Sequence, residues 1–336
     1  MTSIRPRPAT ITDIARQAGV STATVSYVLN DAPAGARIPE ATRARVRAVA
    51  DELGYVPHAS ARSLRTGSSS MVLHVHLDVV QGQLASEFLY GLTHALRELG
   101  YTLMQYGAER NRGVKAARGW AGMRPAAVIA GYDRLTPAGI DLLGKSGIRV
   151  VAVGADPAEV KGTGLSTLRM DNRTVGEEAA RHLVGRGYRD LAAVIPAEPP
   201  LRGMGEERLR GLREAAAAEG ATVRTQDMDW SPESAGSVVR AWLAEGLPEG
   251  VFGYNDEFSG LLLGALHDAG VRVPEQVGLV GADDIMLCHM LRPKLTTVRL
   301  EAQDPGEVAR RIVEVVTERA EVHLSPWRPV LVRRGT

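Results

Sequence analysis

The residues able to do chemistry are few, and their spacing excludes most of the chemistry they would support. Gly139-Ile140-Asp141-Leu142-Leu143-Gly144-Lys145-Ser146 spells a phosphate-cradling loop. Such a loop needs a strand before it and a helix after it, so that backbone amides and a helix N-terminus meet the phosphate. Here the order is reversed, with Leu142 and Leu143 in a helical stretch and a strand pattern opening only at Ile148. No nucleotide site is expected. His74 and His76 lie on one face of a strand, and Asp78 continues that face. No nearby cysteine or third histidine completes a metal set, so the pair reads as buried or interfacial histidines. The single cysteine, Cys288, excludes an internal disulfide and any multi-cysteine metal site. Nucleophile elbows, zinc-protease helices and complete dinucleotide fingerprints are missing as well. No catalytic residue, metal or cofactor is expected.

What remains is recognition, which depends on the elements that hold the side chains. With 336 residues the chain exceeds what one hydrophobic core comfortably serves, so two or three domains are expected. A hydrophobic share of 44% against 24% charged excludes a disordered or low-complexity chain. No apolar run approaches the roughly 18 residues of a membrane span. Residues 1–8 lack the apolar core of a signal peptide, which points to the cytoplasm. Charge is unevenly spread: residues 1–67 hold nine arginines, no lysine and five carboxylates, although the whole chain is only +1. A basic head on a mildly acidic body suits a polyanionic partner.

The head reads as three short helices. Thr10 with Asp13 forms the acid variant of a capping box, opening a helix to Ala18. Gly19-Val20 turns the chain, and Ser21 caps a second helix to about Asn30. A third runs from about Pro39 to Leu53, with Gly54 at its end. Two helices broken at Gly19, with small Ala15 at the close approach, make a helix-turn-helix signature. Residues 58–65 form a short helix-competent segment, and Gly67-Ser68-Ser69-Ser70 a linker. Beyond it, strands alternate with helices. Expected strands are Met71–Val80, Thr102–Tyr106, Ala126–Ala130, Ile148–Val153, Leu165–Met170, Leu191–Ile195, Val251–Tyr254, Val277–Val280 and Pro329–Arg333. The named helices are Leu84–Leu99, Glu206–Glu219 and Glu257–Ala269. Runs such as Val150-Val151-Ala152-Val153 suit a covered parallel sheet, giving two doubly wound α/β lobes.

The wording is more specific than the pattern. "TITDIARQAGVSTATVSYVLN" followed by "TRARVRAVADELGYVPHASARSLRTG" closely resembles the head of the lac repressor family of bacterial transcription regulators. Further stations follow in order: Asp171-Asn172, "RLRGL" at 208–212, Asn255-Asp256, "VGLVGADD" at 277–284 and "LTTV" at 295–298. The resemblance implies an all-α helix-turn-helix head plus an α/β body of two doubly wound lobes, of the periplasmic sugar-binding-protein (type I) kind. It implies a head over 1–57, a hinge helix and linker over 58–70, and an effector-binding and dimerisation body over 71–336. The first lobe would take about 71–170 and 299–325, the second about 171–298 and 326–336. The implied function is a cytoplasmic homodimer, most simply a repressor, that binds a pseudo-palindromic operator in double-stranded DNA under control of a small effector.

Matched residue by residue, Thr22, Ala23 and Tyr27 take the base-reading positions. Thr10, Ser21, Thr24, Ser26 and Asn30 supply groups for phosphate contact. Ala61 and Leu64 match the hinge helix, whose leucine wedges into the minor groove. In the body, Arg208, Asn255 and Asp283 match effector ligands, and Trp230 an effector-contacting aromatic. A guanidinium fork, an amide and a carboxylate together satisfy neighbouring sugar hydroxyls. Arg208 is expected just inside a helix starting near Gly205, with Asp283 just past a strand, so that both face the cleft between the lobes.

Several positions depart from the family. Tyr27 stands where arginine is frequent, His58 where asparagine usually opens the hinge helix, and the 31–38 loop is longer. The aromatic pair usual after the first body strand is missing from Gln81-Gly82-Gln83-Leu84-Ala85-Ser86, and Ala282 replaces another aromatic. Less stacking disfavours a purine and leaves a sugar or similar polar metabolite. No leucine-heptad tail follows the last strand, so a dimer rather than a tetramer is expected. Two other readings share the body's fold: a sugar-binding transport or chemoreceptor protein, and a nucleotide-using enzyme. The first would carry a signal peptide and no such head; the second would need the phosphate loop already excluded.

Overall fold

The computed structural model describes residues 7, 9–30, 37–56, 69–76, 82–107 and 111–336. The chain divides into two compact units, Met1–Ser69 and Ser70–Thr336. The hinge positions His58, Ala61 and Leu64 lie outside the described residues.

Local chemistry accounts for the first unit. Helix α1 (Ile11–Ala18) opens with the expected box: Thr10 N–H and hydroxyl both donate to Asp13 Oδ2, at 3.0 and 2.6 Å. It ends at Gly19, whose φ of 65° is open to glycine without a Cβ penalty. Ser21 Oγ accepts the Thr24 N–H at 3.1 Å and starts α2 (Thr22–Leu29). Helix α3 (Glu40–Glu52) completes a small core of Ile14, Ala15, Val25, Val28, Val46 and Val49.

The second unit is two α/β lobes. In the first, strands β1 (Met71–Val75), β2 (Thr102–Tyr106), β3 (Ala127–Gly131), β4 (Arg149–Val153), β5 (Ser166–Leu168) and β11 (His323–Leu324) form one sheet. Its order is β2-β1-β3-β4-β5-β11, and every neighbouring pair is parallel. Helices α4 (Gln83–Glu98) and α12 (Pro305–Thr317) bury one face, around Leu92, Leu96, Ile129 and Ile312. Helices α5 (Gly113–Gly122) and α6 (Pro137–Lys145) bury the other, around Trp120, Val128 and Leu143. The phosphate-loop string thus lies within α6, with β4 after it and no cradle.

In the second lobe, β6 (Asp190–Pro196), β7 (Thr222–Met228), β8 (Gly250–Phe252), β9 (Gly278–Ala282), β10 (Thr296–Ala302) and β12 (Trp327–Val332) run in the order β7-β6-β8-β9-β10-β12. Only β10 and β12 pair antiparallel. Helices α7 (Asn172–Gly185) and α8 (Pro199–Ala218) cover one face. Helices α9 (Pro232–Glu245) and α10 (Asp256–Asp268) cover the other, and a short α11 (Leu287–Met290) follows β9. The strand order reverses between β6 and β8, the switch point where doubly wound sheets open a crevice at their carboxyl ends.

Two expectations need correction. The helix placed over Glu206–Glu219 begins at Pro199, because proline in the first helical turn is pre-set in φ and loses no needed N–H. Arg208 is therefore in mid-helix. Strand β10 stays in the second sheet to Ala302, opposite Trp327, so the return to the first lobe falls after 302 rather than at 299. Strand β7 had no counterpart among the expected strands.

Helices α7 and α8 touch backbone to backbone. A Cβ on Gly176 would fall on the Arg208 carbonyl, and one on Gly211 on the Arg173 carbonyl. Neither neighbour is a flexible side chain that can step aside. Gly176→Ala should therefore cost at least the ~1–3 kcal/mol usual for overpacking. Urea unfolding measures it; a loss under about 0.5 kcal/mol, the surface range, would mean that the crossing is not tight.

Candidate functional site

The first unit presents one coherent polar face. Thr22, Ala23 and Tyr27 are exposed on α2, Tyr27 at 42%, while Val25 and Val28 anchor the helix from behind. Several expected phosphate-contacting groups serve the fold as well. Thr10 and Ser21 are caps, Thr24 Oγ1 lies 2.9 Å from Ser21 Oγ, and Asn30 donates to the Ser26 carbonyl at 2.7 Å. A helix held by its apolar side with small polar groups outward is built to enter a groove.

In the second lobe the carboxyl ends of β7, β6, β8 and β9 carry, in that spatial order, Trp230, Glu198, Tyr254-Asn255 and Asp283. Arg208 crosses beneath them. Its side chain is 4% exposed and its donors are engaged: Nε to Asn172 Oδ1 at 3.0 Å, Nη1 to the Tyr254 carbonyl at 2.7 Å. Nη2 lies 3.6 Å from Met170 Sδ and 3.5 Å from Asp283 Oδ1. The guanidinium also stands 4.8 Å from the centre of the Tyr254 ring, a cation–π distance. Structure unites Arg208 and Asp283 as expected. Arg208, however, is satisfied mainly by the protein rather than waiting for a ligand.

Asn255 caps α10, its Oδ1 accepting the Phe258 N–H at 3.0 Å, while Nδ2 reaches Glu257 Oε2 at 3.4 Å. Trp230 has a half-exposed ring, and its backbone N–H donates to Glu198 Oε1 at 2.9 Å.

Backbone strain is concentrated here. Tyr254, Asp283 and Asp284 have φ of 62°, 105° and 56°, left-handed values that cost non-glycine residues of order 1–3 kcal/mol each. Their neighbours hold them. Arg334 donates to Asp284 Oδ1 at 2.5 Å, and the Asp283 N–H to the Val298 carbonyl at 2.9 Å. Asp256, fully buried, accepts the Ile285 N–H at 3.0 Å and the Thr297 hydroxyl at 2.5 Å, which fixes the turn that aims Asp283. Burial pushes the Asp256 carboxyl up to about 7, with Asp283 acting in the same direction. Burial also raises Asp283, and Arg208 opposes it.

Asp256 stood out in the sequence only as part of the Asn255-Asp256 station, and no role was read for Glu198, Tyr254 or Glu257. Their only signal was nearness to a strand end, and which strand ends meet depends on the strand order. His74 and His76 lie in the other lobe, rings 5.2 Å apart, with His76 Nε2 2.6 Å from Gln105 Oε1. Burial lowers His74 to about 4, and no group of three metal-binding side chains occurs among the described residues. No described helix is long and apolar enough to cross a membrane.

Comparison with known proteins agrees with this division of the chain. A model of bacterial regulatory proteins of the lacI family matches residues 10–58, and one of a periplasmic binding protein-like domain matches residues 180–336. The chain is 30% identical over 322 residues to the HTH-type transcriptional repressor PurR of Photobacterium profundum, covering 93% of this chain and 92% of that one. It is 29% identical over 343 residues to the HTH-type transcriptional regulator GalR of Salmonella typhimurium, covering 97% and 95%. Among solved structures, the transcriptional regulator CelR in complex with cellobiose is 26% identical with a TM-score of 0.66, covering 97% of this chain and 99% of that one. The lac repressor dimer bound to operator and anti-inducer has the same fold, at 23% identity, a TM-score of 0.80 and coverage of 98% and 99%.

The buried Asp256 sets a pH dependence. Its carboxyl ionises near 3.8 when unfolded and near 7 when folded. The folded state therefore binds the extra proton between those values, and this group's contribution to stability falls as pH rises through that window. Asp256→Asn cannot ionise. The difference in unfolding free energy between wild type and variant should shift against the wild type from pH 5 to pH 7 and then level off. Urea titrations across that range read it; a difference independent of pH would exclude Asp256 as the titrating group.

Proposed function

The chain belongs to the lacI family of bacterial regulatory proteins and is a DNA-binding transcriptional regulator, and we propose that it is a repressor switched by a small polar effector. In this reading it works in the cytoplasm as a homodimer on a pseudo-palindromic operator. Residues 1–57 form the head, 58–70 the hinge and linker, and 71–336 the effector-binding and dimerisation body. The observation that carries the reading is the outward face of α2, with Thr22, Ala23 and Tyr27 free for base edges. Thr10, Ser21, Thr24, Ser26 and Asn30 meet the phosphates, and Ala61 and Leu64 serve at the operator centre. An apolar wedge there unstacks a base step and ties affinity to the hinge.

The effector lies between the lobes, against Arg208, Trp230, Asn255 and Asp283. The effector-bound relative supports this by analogy, since the CelR structure is a cellobiose complex. Asp283 aims a carboxylate into the cleft, Trp230 offers a flat apolar face, and Arg208 orients Asp283 from behind. Exposed apolar residues support the dimer. Tyr90 on α4 is 70% exposed, Met104 on edge strand β2 is 43%, and Met286 and Met290 beside α11 are 62% and 68%. An edge strand and apolar side chains left open in both lobes suit a second copy of this chain.

The test is selection of duplexes from a random pool by the full-length protein, followed by gel shift. A pseudo-palindromic site should be enriched, and a protein lacking residues 1–69 should not shift it. Tyr27→Ala should weaken the selected site by about 5- to 150-fold, the loss of ~1–3 kcal/mol of base contact, and leave unrelated duplexes unaffected. Enrichment without palindromic symmetry, or equal losses on both kinds of DNA, would contradict the reading.

A further inference from the structure

The second-lobe wall of the cleft has an unequal supply of hydrogen-bonding groups. Two features suited to an anion, a guanidinium on this wall and a helix terminus that faces it, are already taken by the protein. Arg208 has its guanidinium engaged by Asn172, the Tyr254 carbonyl and Asp283. The other is the N-terminus of α4, which reaches the cleft from the first lobe and would draw an anion. Glu257 fills it. The Gln83 N–H bonds the Glu257 carboxylate, and a Cβ on Gly82 would lie 3.0 Å from Glu257 Oε2. Leu84, one residue further, packs on the second lobe's core and fixes that approach.

Acceptors, by contrast, are left over. Glu198 Oε1 takes the Trp230 N–H, but Oε2 is buried and has no partner, alone among carboxylate oxygens of the described residues. Asp283 has one side-chain partner, the Arg208 contact at 3.5 Å. Tyr254 is 4% exposed, and its hydroxyl, which is not sealed from solvent, makes no hydrogen bond among the described residues. Burial pushes that phenol up to about 12; Arg208 opposes the rise, and three carboxylates, Asp283, Glu198 and Glu257, add to it. A buried carboxylate oxygen without a partner, such as Glu198 Oε2, is costly, and a bound cation relieves that cost.

We propose that the effector is a polyol bearing a positively charged amine, an amino sugar being the simplest member. Glu198 and Asp283 receive the ammonium beside the Tyr254 hydroxyl, and the Trp230 indole covers it as a cation–π face. Glu198 is thereby a specificity-determining residue of the cleft. A phosphorylated or acidic sugar would meet three carboxylates beside one guanidinium that is already engaged. A neutral sugar would leave the charge uncompensated. The proposal rests on the cleft reading given above.

Calorimetric titration of the full-length protein with matched probes tests it. The probes are D-glucose, D-glucosamine and D-glucose 6-phosphate, with the corresponding galactose and mannose sets, each taken to 50 mM. At least one amine should bind about tenfold or more tighter than its neutral parent, and no phosphate should bind. Glu198→Gln keeps the acceptor for the Trp230 N–H and should abolish most of that preference. A neutral sugar or phosphate that binds as tightly as its amine, no amine binding by 50 mM, or an amine preference unchanged in Glu198→Gln would overturn the proposal. Asp283→Asn separates the two levels. Neutral-sugar binding that this variant weakens keeps the cleft and removes the amine, whereas probe binding that it leaves untouched removes the cleft as well.

Discussion

The body is organised around one buried guanidinium. Removing Arg208 from water costs several kcal/mol unless its donors and charge are met. They are met only if α7, α8 and the ends of β8 and β9 converge: Asn172 opens α7, Tyr254 follows β8, and Asp283 follows β9. Convergence in turn requires the glycine contact of Gly176 and Gly211, since side chains there would hold α7 and α8 apart. The strained turn at Asp283-Asp284 is tolerable because Asp256, Arg334 and the β10 backbone each bond it. A ligand meeting Asp283 would therefore meet a group whose position is over-determined, which is what selective recognition needs.

The same convergence bears on how a cleft ligand would act. Chain crossings between the lobes follow β5, β10 and β11, and α4 docks on both sides. Phe88 of α4 stacks on Trp327 of β12 with ring centres 4.7 Å apart, and Leu84 packs on the second lobe's core. Glu257, in the first turn of α10, adds a polar contact across the opening to the Gln83 N–H at the start of α4. A small molecule shifts such an arrangement only by its differential affinity for open and closed lobes. The groups placed to express that difference are those at the cleft mouth, Glu257, Trp230 and Asp283, rather than the sealed Arg208.

How much was legible follows from how local each feature is. The head could be read closely because Thr10, Asp13, Gly19 and Ser21 act within a few residues of themselves. The alternation of strands and helices was also plain, since a covered parallel sheet writes apolar runs into the chain. Arg208 was found by likeness but misplaced in its helix, which starts at Pro199-Pro200 rather than near Gly205. Strand β7 was hidden by its edge position, where Arg224, Gln226 and Asp227 are as acceptable as apolar residues. Asp256 stood out only as part of the Asn255-Asp256 station, and Glu198 and Glu257 could not be read at all, because strand order brings them to one cleft and no short spacing records that order.

In this arrangement the Arg208 fork sets the cleft without serving the DNA-binding head. Arg208→Lys keeps the buried charge but cannot reach Asn172 and the Tyr254 carbonyl together. Operator affinity titrated against the metabolite that binds the cleft tests this directly. Operator affinity without metabolite should be unchanged, and the response should need roughly 10- to 150-fold more of it, the loss of a charge-assisted hydrogen bond. A variant that responds at the wild-type concentration would contradict it.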